Sequence, residues 1–304
     1  MANQFQTGIV AEASVDACFL TLSIKAGNEP AVKSILASLP QVITEFTARY
    51  SDVNPHAVVA IGSEVWDRLY DTKPALLQAF PTLETSGVMP NTPVDLLLHI
   101  RSDRRDITHL LEEALYKPLS EYVDVVEEIF CFRFLESRDM TGFVDGTENP
   151  QGEDRLSVAL VGDEDAEFVG GSYLHLQRYV HNMKKWSTQS LKEKEDTYGR
   201  TQDDNIEYAS ADKPLTAHTK RASIKNAQGQ SLELLRQSLP YGGVKESGLM
   251  FASYCRTPDN FNLILKSMVD GDGHGHTDRM LQFTRAVTGQ AFFAPSPQWL
   301  KTNG

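Results

Sequence analysis

The sequence predicts an α+β fold with two ferredoxin-like domains, in which antiparallel sheets are flanked by helices. Three observations support this class. Strand and helix patterns alternate in each half of the chain, hairpin-like connections are mixed with crossovers, and 304 residues with 41% hydrophobic content can fill two ordinary cores. We therefore expect an N-terminal domain over residues 1–138 and a C-terminal domain over residues 139–304, which includes a loop at residues 139–163.

The first half is predicted to run strand–helix–strand twice. The strands are Ala17–Ile24, Ala57–Ile61, Val94–Ile100 and Tyr122–Phe134, and the helices are Glu29–Tyr50 and Arg104–Leu119. Pro30 suits the first turn of a helix, where its missing N–H has no intrahelical partner to lose. Val32, Leu36 and Leu39 then recur at helical spacing, whereas the strand segments are short apolar runs rich in Val, Ile and Phe.

The second half repeats this order more weakly. The predicted strands are Tyr173–Tyr179, Leu232–Gln237, Leu249–Arg256 and Gln290–Ala294, and the predicted helix is Asp259–Met268. The sequence Pro240-Tyr241-Gly242 is expected to end the second of these strands. Residues 136–163, rich in Gly, Asp, Asn and Pro, are predicted to form a long structured loop, and residues 192–216 a solvated excursion of helix and loop.

Charge and composition exclude several kinds of partner. A formal net charge of −12 repels phosphate backbones and anionic lipids, so neither nucleic acid nor a membrane is an expected partner. The apolar runs are far shorter than the roughly 20 residues of a membrane helix. No export signal is visible at the start, which predicts a cytoplasmic protein. The widely spaced Cys18, Cys131 and Cys255 match no disulfide or metal pattern and are expected to be buried apolar residues.

Three separate features carry residues suited to chemistry. Asp145 stands between two glycines in Gly-Phe-Val-Asp-Gly-Thr-Glu-Asn-Pro, and glycines that permit positive φ let a carboxylate extend from a turn towards a ligand. Arg236 and Ser238, two residues apart in a predicted strand, point to the same face. His218 is a lone histidine. Each feature also has a structural explanation: the string around Asp145 can be an ordinary turn, Arg236 a solvated arginine on an edge strand, and His218 a histidine with a structural partner.

In combination, these features resemble the dye-decolourising peroxidase family. The resemblance rests on the string around Asp145, then a His, then Arg-Gln-Ser-Leu-Pro-Tyr-Gly from Arg236, and finally Phe-Thr, Val-Thr-Gly and Phe-Ala-Pro-Ser between Phe283 and Ser296. Their order and spacing match the family, and the similarity covers essentially the whole chain. It is strongest to the short bacterial members that lack a twin-arginine leader.

The resemblance implies one haem b per chain, bound in the C-terminal half. It assigns the iron ligand to His218 and the catalytic pair on the other side of the haem to Asp145 and Arg236. It places Ser238 at a small polar position beside the distal cavity, and Asp278 as the carboxylate behind the proximal histidine. The positions that line the haem in relatives are Gly146, Thr147 and Glu148.

The function implied is that of a haem-dependent peroxidase, which reduces hydrogen peroxide and oxidises dye-like or phenolic donors through a ferryl intermediate. We expect Asp145 to start ionised, favoured by Arg236, and to move a proton between the peroxide oxygens while Arg236 stabilises charge on the departing one. Neutral His218 is expected to bind iron through Nε2 and to donate its Nδ1 proton to Asp278.

Hydrogen peroxide, a small-molecule electron donor and further copies of the chain in a homodimer or larger homo-oligomer are the expected partners. Bulky donors cannot enter a closed haem pocket, and relatives are thought to pass electrons to such donors through exposed Tyr or Trp residues. Trp186 and Trp299 are candidates in this chain, but packing is the better explanation for each. Two other classes of protein are alternatives to the peroxidase. A haem- or iron-handling protein needs an axial ligand but no distal acid–base pair. A structural ferredoxin-like module binds no haem.

Overall fold

The computed structural model describes residues 4–83 and 89–304. Its strands are β1 Asp16–Ile24, β2 His56–Gly62, β3 Leu96–Ser102, β4 Val123–Phe132, β5 Ser172–His181, β6 Leu235–Arg236, β7 Leu239–Gly242, β8 Ser247–Cys255, β9 Thr284–Ala286 and β10 Gln290–Ala294. Its α-helices are α1 Thr7–Val10, α2 Glu29–Arg49, α3 Trp66–Leu69, α4 Arg105–Tyr116, α5 Asp154–Ala159, α6 Met183–Ser187, α7 Leu191–Tyr198, α8 His218–Ala222, α9 Pro258–Val269 and α10 Pro297–Asn303. Short 3-10 turns occupy Ser51–Val53, Asp163–Asp165 and Arg279–Gln282.

Each half of the chain forms an antiparallel sheet with the same strand order. In the first half the order is β4-β1-β3-β2, with α2 and α4 as the connecting helices, which is the ferredoxin-like arrangement. The second half repeats it as β10-β5-β8-β7, with α9 between β8 and β10. The predicted α+β class with two ferredoxin-like units is confirmed.

The two sheets join along both edges and close into a ring. At one junction β2 pairs with β10, through Ile61 opposite Phe293, and at the other β4 pairs with β7, through Cys131 opposite Tyr241. Alternate residues of β1 therefore enter different cores. Leu20 packs with the side chains of α2, whereas Phe19 lies in a cluster that also holds residues of β5, β8 and β10.

Most predicted elements lie within two or three residues of the observed ones, but two predictions in the second half were wrong. The predicted strand Leu232–Gln237 is reduced to the two residues of β6, and Pro240-Tyr241-Gly242 does not end a strand but lies within β7. Pro240 is tolerated because β7 pairs with β4 through Tyr241 alone, so few ladder hydrogen bonds are lost on that side.

One of the two polar segments contains more regular structure than predicted, and the other matches its prediction. Residues 136–163, predicted to be a loop throughout, include α5, in which Arg155 is only 4% exposed. Residues 192–216 do combine helix and loop: α7 begins with a capping box, in which Ser190 and Glu193 satisfy each other's backbone N–H groups. The three cysteines are buried and unpaired, as predicted. Within the described residues, no helix has the length and apolar character needed to cross a membrane.

Candidate active site

A cavity of about 510 Å³ lies in the C-terminal half and collects most of the predicted site residues. Asp145, Arg236 and His218 all line it. One wall is apolar and comes from β8 and α9: Leu249, Phe251, Ile264, Leu265 and Met268. The volume falls within the roughly 300–1,000 Å³ of ordinary cofactor and ligand sites.

His218 is held by a buried carboxylate. It is the first residue of α8, and its Nδ1 lies 2.6 Å from Oδ2 of Asp278, which is 1% exposed. The other oxygen of Asp278 accepts the backbone N–H of Met280 at 2.9 Å, so the carboxylate is fixed at the start of a 3-10 turn. Burial lowers the pKa of His218, but the charge and the hydrogen bond of Asp278 together raise it by more. The pKa therefore lies above its ordinary value. With Nδ1 engaged, Nε2 is the ring nitrogen left for a ligand in the cavity.

Asp145 projects from a turn built by its neighbours. Its backbone N–H donates to Ser137 at 2.9 Å, and its Oδ1 accepts the N–H of Gly146 at 2.8 Å. Gly146 has φ +80°, the left-handed region that favours glycine, and no atom lies within 4 Å of where a Cβ would stand. The backbone therefore borders open space at this point.

The pKa of Asp145 depends more on burial than on its arginine neighbour. Burial is the largest effect and raises the pKa above its ordinary value, while the charge of Arg236 lowers it by less and the charge of Asp139 raises it again. Arg236 thus favours the carboxylate as predicted, but burial outweighs it.

Arg236 is positioned through its backbone by a distant side chain. Its N–H donates to Oδ1 of Asn149, and its carbonyl accepts from Nδ2 of the same residue, both at 2.8 Å. Asn149 thereby occupies the free edge of β6 as a neighbouring strand would. Among residues 4–83 and 89–304, the guanidinium of Arg236 has no hydrogen bond or ion pair, and it lines the cavity.

The predicted lining residues Gly146, Thr147 and Glu148 all border this cavity. Thr147 Oγ1 accepts from Asn205 at 2.8 Å, which fixes the turn to the segment after α7. Burial raises the pKa of Glu148, and its carboxyl neighbour Glu207 raises it further.

Ser238 and Asp278 lie outside the lining of the large cavity. Ser238 instead lines a second space of about 80 Å³, together with Asp145, Gly146 and Arg236, which border both spaces. Its Oγ accepts the N–H of Ala252 at 3.2 Å. Asp278 is connected to the cavity through its hydrogen bond to His218.

A second polar network on the same cavity was missed by the sequence analysis. His181 Nε2 lies 3.0 Å from Asp139, whose other oxygen accepts from Thr141 at 2.5 Å, and Thr141 is 2.6 Å from the hydroxyl of Tyr198. The ring of Tyr198 meets His218 edge-on at 6.0 Å. One signal was available: Gln177, Tyr179 and His181 alternate along β5, so they mark a polar face of a buried strand.

These features fit a flat prosthetic group such as the haem that the resemblance implies. An unbonded imidazole nitrogen suits iron, the apolar wall suits a porphyrin face, and the bare backbone at Gly146 allows close approach. The described residues contain no group of three or more His, Cys, Asp or Glu side chains suited to a bare metal ion.

Comparisons with known proteins agree with this fold. A solved structure from Shewanella oneidensis, described as a dyp-type peroxidase, is 48% identical, covers 99% of this chain and 98% of its own, and has a TM-score of 0.96. DypB from Rhodococcus jostii RHA1 is 34% identical, with 96% of both chains covered and a TM-score of 0.92, and variants of it have been solved in complex with haem. A dye-decolorizing peroxidase of Mycobacterium tuberculosis is 38% identical over 96% of this chain and 88% of its own length.

The class defined by fold and cavity is therefore a peroxidase, an oxidoreductase that acts on hydrogen peroxide. Two family models match the chain: "Dyp-type peroxidase, N-terminal" over residues 6–133 and "Dyp-type peroxidase, C-terminal" over residues 136–298. The chain belongs to the Dyp-type, or dye-decolourising, peroxidase family.

Proposed function

We propose that the protein is a haem-dependent peroxidase in which Asp145 and Arg236 act on hydrogen peroxide while His218 holds the iron. The observation that carries this proposal is the shared cavity. A histidine with a carboxylate on its Nδ1, a half-buried carboxyl group and an arginine whose guanidinium has no hydrogen bond or ion pair among the described residues all line the same space. A site for haem storage needs only the first of these three.

Haem, when bound, supplies the redox chemistry of cleaving the O–O bond and storing the oxidising equivalents. Asp145, as the carboxylate, takes a proton from one peroxide oxygen and returns it to the other, which leaves as water. Arg236 stabilises the negative charge that grows on the departing oxygen. Asp278 fixes the tautomer of His218, so that Nε2 carries the lone pair, and makes the imidazole a stronger donor.

The space lined by Ser238 suits the approach of peroxide. Its volume of about 80 Å³ holds a molecule of this size but not an aromatic donor, and it borders Asp145 and Arg236 directly. We therefore assign it as the path by which peroxide reaches the catalytic pair.

Reduction of one hydrogen peroxide to two waters takes up two protons and two electrons, so two one-electron donors are oxidised for each peroxide consumed.

The cellular setting belongs to the same proposal. We propose a cytoplasmic protein that works as a homodimer or larger symmetric assembly, since most soluble oligomers are symmetric assemblies of one chain. The division into domains at residue 138 is likewise proposed, supported by the repeated strand order of the two halves.

The experiment that tests the function uses haem-loaded protein and rapid mixing with hydrogen peroxide. We expect a fast change in haem absorbance that is reversed by a phenolic or dye donor, with two equivalents of donor oxidised per peroxide. Haem binding without that change would instead support the haem-handling alternative, and protein that purifies without haem and does not take it up would contradict the proposal.

A further inference from the structure

A groove on the protein surface shares a wall with the catalytic cavity. It has a volume of about 690 Å³ and lies between the hairpin at residues 243–247 and the segments 180–184 and 281–285. His181, Leu281 and Thr284 line both this groove and the large cavity. The two spaces are therefore separated by single side chains, with the ring of His181 held at 2.8 Å from the hydroxyl of Thr284.

The groove is cationic, in a chain whose formal net charge is −12. Lys184, Lys245 and Arg285 line it, and none of them forms an ion pair with any residue of the described ranges 4–83 and 89–304. The one acid in its lining, Glu246, is already engaged at 2.9 Å by Arg178. The local field of the groove therefore favours a negatively charged molecule.

The groove also offers apolar surface beside these charges. Val244, at the tip of the hairpin, is fully exposed, and the half-buried Met183 contributes to the lining. Apolar contacts flanked by cations suit an aromatic molecule that carries sulfonate or carboxylate groups. The volume is sufficient for such a molecule, whereas the path beside Ser238 is not.

We propose that this groove, named here the cationic groove, binds an anionic aromatic electron donor during turnover. The inference rests on the proposed peroxidase function and assigns its dye-like donors a place to bind. A donor in the groove lies one side chain from the catalytic cavity, so it can be oxidised without entering it. Each donor molecule gives up one electron, and two such molecules supply the pair that the reduction of peroxide requires.

The test compares two double variants of the haem-loaded protein. Lys245→Glu with Arg285→Glu reverses the charge of the groove, and Lys117→Glu with Lys301→Glu makes the same change in net charge at two exposed lysines after α4 and in α10. For the groove variant, we expect the KM for a disulfonated azo dye to rise by about tenfold or more, since the attraction has become repulsion. The KM for guaiacol, a neutral phenol, is expected to stay unchanged, as is every KM in the control.

A binding measurement separates docking from turnover. Titration of anthraquinone sulfonate into the haem-loaded protein without peroxide, followed by calorimetry, is expected to give a Kd that rises about tenfold or more in the groove variant and also rises with salt in the wild type. An unchanged Kd and an unchanged dye KM in that variant would overturn the inference. Sedimentation velocity adds a check: a variant that loses its oligomeric state and keeps its dye KM would mark the groove as a subunit interface and also overturn it.

The peroxide reaction identifies which proposal has failed. The groove variant is expected to react with hydrogen peroxide at the wild-type rate, because neither changed residue lines the catalytic cavity. A normal peroxide reaction with an unaffected dye KM refutes the donor site alone. A wild-type protein that fails to react with peroxide refutes the proposed function, whatever the groove binds.

Discussion

Nδ1 of His218 and Oδ2 of Asp278 are 2.6 Å apart, and the other oxygen of Asp278 is already fixed by the backbone of Met280. The imidazole is therefore oriented by a carboxylate that cannot easily turn away. Since the ring nitrogen opposite this bond faces the cavity, the pair determines which atom of His218 is presented to a cofactor.

Replacing His218 with alanine is expected to prevent stable haem binding, because the iron loses its proposed protein ligand. The measurement is the Soret absorbance per protein after reconstitution, followed by addition of imidazole, which is expected to restore part of it. His274→Ala, at an exposed histidine outside the cavity lining, serves as the control. An unchanged Soret band in the His218 variant would place the ligand elsewhere.

Asp278→Asn keeps the size of the side chain and removes its charge. In haem-free protein, the pKa of His218 is expected to fall, because the carboxylate is what raises it against the effect of burial. The imidazolium is then lost at lower pH than in the wild type, which NMR titration of the ring protons measures. In the loaded protein we expect peroxidase activity to fall by about 10–100-fold, the usual cost of losing a partner behind a metal ligand. A pKa equal to the wild-type value would show that Asp278 does not tune the ring.

Asp145→Ala and Arg236→Leu are expected to bind haem and to react slowly with peroxide. Loss of a general acid–base group costs about 10²–10⁴-fold, and loss of a group that stabilises developing charge costs about 10²–10³-fold. Stopped-flow absorbance measures both rates, with Asp203→Asn as a control at an exposed acid. Normal rates in both variants would remove the assigned roles.

The pH profile of this reaction provides a separate test of the pair. The rate is expected to fall as the pH is lowered through the pKa of Asp145, since the protonated acid cannot accept a proton. Burial places this pKa above the ordinary value for an aspartate, and Arg236 lowers it. Arg236→Leu is therefore expected to move the acid limb to higher pH. A limb that stays in place would mean that another group controls the profile.

Asp145 also lowers the free energy of unfolding of the haem-free protein at neutral pH. A carboxyl group whose pKa is raised in the folded state binds protons more strongly there than in the unfolded chain, so the free energy of unfolding falls as the pH rises from below the unfolded pKa to above the folded one. Asp145→Asn is expected to raise the melting temperature at neutral pH and to have little effect at acidic pH. Calorimetry at the two pH values measures the difference, and an equal change at both would contradict it.

The sequence predicted the ferredoxin-like units well, because their strands are buried apolar runs whose character does not depend on distant partners. It failed at β6, where the backbone of Arg236 is bonded by Asn149, a residue 87 positions away. It could not predict the pairing of β2 with β10 either, because no local pattern identifies which strand edges of the two sheets will pair. In the site, the motifs marked Asp145 and Arg236, whereas Asp139 and His181 become neighbours only through the fold of β5.

Ring closure has a consequence for the order of events on the ribosome. β10 comprises residues 290–294 of a 304-residue chain, and the edge of β2 that it covers is made more than two hundred residues earlier. Until β10 is made, the N-terminal half therefore carries a bare strand edge, the kind of surface on which nascent chains of neighbouring ribosomes pair wrongly. The edge is covered only once β10 has been translated, so truncation just before Gln290 is expected to yield aggregates instead of a shortened enzyme.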